Sequence, residues 1–157
     1  MSDRHRATLY IEHSVLAFPG TASHEWRSEV SSVLDRARIW FPLSVVLVGR
    51  TRLDPTLHQA LHELPADRAV FGGARGLATA YLSAVQLDRA DHPADQLWLL
   101  STSLHHGRPA SANAALDKLS LHAKVRVLGV RSDVVTPLVP DDLEEVFAAH
   151  ARTLEER

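Results

Sequence analysis

Imidazole, hydroxyl and guanidinium groups gather just beyond three apolar runs of this chain. Glu12, His13 and Ser14 interrupt the stretch from Thr8 to Leu16; Arg50, Thr51 and Arg52 follow the run Leu43 to Val48. Ser101, Thr102 and Ser103, with His105, His106 and Arg108, follow Gln96 to Leu100. Imidazole titrates near neutral pH and can move protons, while arginines and hydroxyls donate to phosphate or carboxylate oxygens. Magnesium needs oxygen ligands, usually more than one carboxylate, and this collection has one. The expected ligand is therefore a small anion, held by His13, Arg50, Thr51, Arg52, Ser101 and Ser103, with no metal and no cofactor. An ordinary polar rim would contain the same residues.

Other chemical features are weaker. Ser14 beside His13 does not make a nucleophile and base pair, because adjacent strand residues point to opposite faces. His58 and His62 stand four apart, as zinc ligands on a helix can, but they lack the His-Glu-x-x-His order, and a chain with ten histidines produces such a pair by accident. Gly72-Gly73-Ala74-Arg75-Gly76 separates a strand pattern from a helix pattern, yet its spacing matches neither the dinucleotide nor the P-loop fingerprint and reads as a turn. Trp26, Trp40 and Trp98 fall within apolar patterns and belong to core or interface.

The elements that would position the rim alternate. The run from Thr8 to Leu16 reads as a buried central strand with a polar end. Trp26, Val30, Val33, Leu34 and Ala37 recur at helical spacing. Leu43 to Val48 lacks polar alternation, as in a strand covered on both faces. Asp54-Pro55 is a helix start, with Leu57, Leu61 and Leu64 as its stripe. Arg68 to Phe71 reads as a strand; Leu77, Tyr81, Ala84 and Val85 mark a helix; Asp88 to Asp95 reads as a polar linker. A strand at Gln96 to Leu100, a helix from Pro109 to Leu119, a strand at Lys124 to Val130 and a helix from Pro140 complete the chain. The last helix carries Leu143, Val146, Phe147, His150 and Leu154 at helical spacing. This alternation predicts one α/β domain over residues 1–157, Rossmann-like and three-layered, with about five mostly parallel strands and helices on both faces. Ligands of such sheets bind beyond the carboxyl ends of the strands, which is where the polar rim falls.

Composition sets outer bounds. Hydrophobic residues make up 45 % and charged residues 23 %, a globular balance. A formal net charge of -2 supplies no basic field for nucleic acid. The absence of cysteine excludes disulfides, thiolate metal sites and a cysteine nucleophile. The charged start, Met1 to Arg6, does not resemble a secretion signal, and the longest apolar run is far short of the ~20 residues of a membrane helix. The expectation is a soluble cytoplasmic protein.

Leu9-Tyr10-Ile11-Glu12-His13-Ser14-Val15-Leu16 resembles the first motif of the haloacid dehalogenase superfamily, in particular its small cap-less bacterial members. Pro42 to Val48 resembles the second-motif strand, Trp98-Leu99-Leu100-Ser101-Thr102 the strand that ends in the family's paired acids, and Val125 to Phe147 the closing strand, loop and helix. The resemblance implies a phosphate-attacking aspartate where this chain has Ile11, a second aspartate at His13, and magnesium-holding acids at Ser101 to Ser103. Alkyl, imidazole and hydroxyl groups cannot replace that set, with Ile11, His13, Ser101 and Thr102 at the degenerate positions. The expectation is a pseudophosphatase acting as a protein-interaction or regulatory module, with a protein partner or its own copy. The alternative is a small-anion or nucleotide-binding domain, or a divergent phosphate-ester hydrolase without an aspartyl nucleophile, using the His/Arg/Ser cluster.

Overall fold

The computed structural model describes residues 6–17, 24–52, 54–72, 77–101, 104, 110–129 and 140–156. Five strands, β1 (Ala7–Glu12), β2 (Leu43–Gly49), β3 (Arg68–Phe71), β4 (Gln96–Ser101) and β5 (Lys124–Gly129), form one sheet in the order β3-β2-β1-β4-β5. Every pairing is parallel. The expected three-layer α/β architecture is therefore present, with β1 at the centre and the switch in strand order between β1 and β4.

Side-chain alternation divides the core into two layers. Leu9 and Ile11 of β1, Val45 and Leu47 of β2, and Trp98 and Leu100 of β4 face one side. There they meet α1 (His13–Ala17), α2 (His24–Trp40), α3 (Pro55–Glu63) and α6 (Pro140–Glu155). Tyr10, Val46, Val48, Leu97 and Leu99 face the other side, under α4 (Leu77–Asp91) and α5 (Ala110–Ser120). All the predicted stripe residues of α2 are buried, as are Leu143 and Phe147 of α6. An aromatic knot joins the sheet to α6 at Trp98, whose ring centroid lies 5.2 Å from those of Phe147 and His150.

Several local expectations need correction. The first strand does not continue to Leu16: it ends at Glu12, and His13 starts a short helix. Leu61 is 36 % exposed, and the buried side of α3 is Leu57 and Ala60. Its start is as expected, with the Asp54 carboxylate accepting the Thr56 and Leu57 amides and Pro55 at the first turn. Asp88 to Asp95 is not simply a linker, because α4 runs on to Asp91. Asp88 is buried, and its carboxylate accepts from the Tyr10 hydroxyl at 2.7 Å and from Arg68 Nε and Nη2 at 2.7 and 2.5 Å. The network ties α4 to the central strand and to edge strand β3. Burial works against the charged form of Asp88, but the hydrogen bonds from Arg68 and Tyr10 outweigh it and hold the carboxyl below its ordinary range.

Candidate functional site

The period-two alternation of β1 carries past Tyr10 to place Glu12 on the α4 side, at the carboxyl edge of the central strand. Glu12 is 2 % exposed. Its Oε1 accepts from the Ser14 hydroxyl, brought back by the first turn of α1, and from Ser101 Oγ at the end of β4, 3.0 Å away. Ser101 Oγ in turn accepts the Leu104 amide at 3.2 Å. The central acid is thus fixed by hydroxyls from its own chain turn and from the neighbouring strand, on both sides of the topological switch.

Beside it lies a crevice lined by Glu12, His13, Val48, Gly49, Arg50, Gly72, Ala80 and Tyr81. Its free volume is ≈ 10 Å³, room for about one water at most. Gly72 keeps one wall close: a Cβ there would stand 2.5 Å from the Ala80 carbonyl oxygen, so α4 could not approach β3 as it does. The Tyr81 hydroxyl donates to the Tyr10 carbonyl at 2.9 Å, and burial, followed by the nearby Glu12 carboxylate, pushes the phenol well above its ordinary value.

His13 is half-buried at the mouth. Burial lowers its pKa; the Glu12 and Asp54 carboxylates pull in the opposite direction without overcoming it, and Arg50 adds to the lowering. Asp54 turns one carboxylate oxygen to the start of α3, while its other oxygen, buried, has no hydrogen-bond partner among the described residues.

The predicted site residues therefore separate. His13 and Arg50 share the crevice, and Ser101 reaches it through Glu12. Thr51 and Arg52 are exposed beside it; the Arg52 carbonyl accepts from His58 Nε2 at 2.6 Å. Ile11 is fully buried among the α2-side core residues, one position out of phase with the rim. Thr102, Ser103, His105, His106, Arg108 and the turn at residues 73–76 lie outside the described residues. Tyr81 and Asp54 escaped sequence reasoning as members of this site, since a tyrosine on an apolar helix stripe and an aspartate before Pro55 are already explained by packing and capping. Among the described residues, no three His, Asp or Glu side chains converge as a metal site would require.

The fold and site define an open, all-parallel α/β domain with a hydroxyl-bound carboxylate at its switch point. No family model, curated protein or solved structure matches the chain. No described helix is long and apolar enough to cross a membrane.

Proposed function

We propose that this chain acts by binding, as a catalytically silent α/β domain of haloacid dehalogenase-like type. The observation that carries the reading is the state of the central carboxylate. An acid that attacks phosphate or holds magnesium must offer its oxygens to the substrate or the ion. Glu12 is 2 % exposed, and Ser14 and Ser101 both donate to its Oε1, so that oxygen is committed within the protein. The residue at the aligned nucleophile position, Ile11, is a core side chain. A serine at the end of β4 supplies a hydrogen bond to Glu12 where the resemblance implies a second carboxylate. The donor set supports a structural rim rather than a two-carboxylate reaction centre.

Two measurements on the full chain test this. Phosphomonoester hydrolysis with magnesium should not exceed that of the Glu12→Gln variant, and affinity capture from the native cytoplasm should recover a protein partner or a second copy. Magnesium-dependent turnover abolished by Glu12→Gln would overturn the silent reading; a strict monomer by light scattering with no captured partner would overturn the binding one.

A second reading, small-anion binding, is favoured by the placement of Arg50 and His13 in one crevice. It is opposed by the carboxylate that forms part of the same wall and by a free volume of ≈ 10 Å³, too small for a phosphate. Equal phosphate affinity in wild type and Arg50→Ala, Arg52→Ala would remove it.

A further inference from the structure

Among the described residues, α6 packs chiefly on α2, and on the α6-side face of edge strand β5 it leaves Lys124 and Arg126 exposed while Leu128 is buried. The resulting groove has two connected parts. One, of ≈ 640 Å³, lies between Arg126 to Leu128 and the α6 residues from Asp142 to Arg152; the other, of ≈ 370 Å³, continues past Lys124 to His150 and Thr153. Arg126, Val146 and Ala149 line both parts. Its outer charges differ in sign: Asp142 and Glu145 stand at the end nearest the start of α6, Lys124 and Arg152 stand toward the other, Arg126 lies between them, and all five are exposed.

We propose that this groove is an interface between two copies of the chain, related by a two-fold axis that passes close to Ala148 and Ala149. The proposal rests on the reading that the protein acts by binding, and it names the partner. In an isologous contact residue i of one copy meets residue j of the other while j meets i, so a surface must be complementary to itself. An antiparallel α6 pair centred between Ala148 and Ala149 sets Glu145 of one copy opposite Arg152 of the other, twice, and brings each acidic end to the partner's basic end. The small side chains at the centre let the two helices approach, and Val146 supplies apolar surface beside them. A parallel arrangement would place acid against acid, which gives the contact its direction.

The test is sedimentation equilibrium of the full chain at tens of micromolar, with Glu145→Lys and Arg152→Glu variants checked for unchanged circular dichroism. The wild type should sediment as a dimer that weakens as salt rises. Each charge reversal should weaken association by about tenfold or more, because two like-charge pairs replace two opposite pairs. An equimolar mixture of the two variants should recover a heterodimer, since position 145 of each copy then meets the opposite charge at position 152 of the other. A monomeric wild type, or a dimer that neither variant weakens, overturns the proposal. A monomer that still captures a different protein overturns it while leaving the binding reading standing, and a small organic anion that binds the Lys124 end of a monomer would reassign the groove to a ligand.

Discussion

Replacing Asp88 by alanine should be among the most damaging single changes available in this protein. Tyr10 is fully buried and Asp88 nearly so, whereas the Arg68 side chain keeps 24 % of its surface exposed. Truncation leaves the Tyr10 hydroxyl and two guanidinium N–H groups without their acceptor. Breaking a buried pair from one side costs about 3–5 kcal/mol, and the water that still reaches Arg68 places this case near 3 kcal/mol. At ~2–4 °C per kcal/mol for a chain of this size, Tm should fall by about 6–12 °C. The assay is urea and thermal unfolding of the wild type, Asp88→Ala, Arg68→Met and the double variant. The double variant should be more stable than the sum of the single losses implies by at least ~1 kcal/mol, because removing both partners strands fewer charges. The acid limb adds a second check. The folded pKa of Asp88 lies below its unfolded value, so its stabilisation is present above the ordinary carboxylate range and is lost as pH falls through the depressed folded value. Asp88→Ala should flatten that limb. A loss under ~1 kcal/mol, or additive single effects, would refute the argument that a coupled buried network holds α4 to β1 and β3.

Two further outcomes follow from the rim. Gly72→Ala should destabilise by about 1–3 kcal/mol, since the new methyl would meet backbone rather than a movable side chain, and denaturant titration would read it. His13 has a lowered pKa in the fold, so the unfolded chain takes up its proton first as pH falls. Stability should therefore be fully present above the unfolded histidine value of ~6.5 and decline toward the lower folded value, and His13→Gln should reduce the slope of Tm against pH in that window.

The architecture was legible because its signals were repeated. The β-branched run at Leu43, the Asp54-Pro55 helix start and the α2 stripe each agree with the same alternation of strand and helix. Single polar residues were not legible in the same way. Asp88 has the letter of a linker, and only the distant Arg68 and Tyr10 make it a helix residue with a buried role. Glu12 and Ser101 lie 89 positions apart, and nothing local in either stretch announces their hydrogen bond. His13, Arg50 and Ser101 do lie at one end of the sheet, as the strand pattern implies. The resemblance, however, ties the central position to Ile11, where the two-residue period of β1 turns the side chain into the core.

The central place of β1 also has a consequence for how the protein is made. Its first partner, β2, follows closely, while pairing with β4 joins Ile11 to Leu100, 89 residues later. At ~5–20 residues per second, ribosomal synthesis needs about 4–18 s to cover that interval. Throughout it, the innermost strand of the finished sheet is an unprotected edge, presenting Leu9, Tyr10 and Ile11 beside unpaired amides and carbonyls. The strand that is most sheltered in the native fold is thus the nascent chain's most exposed site for wrong pairing.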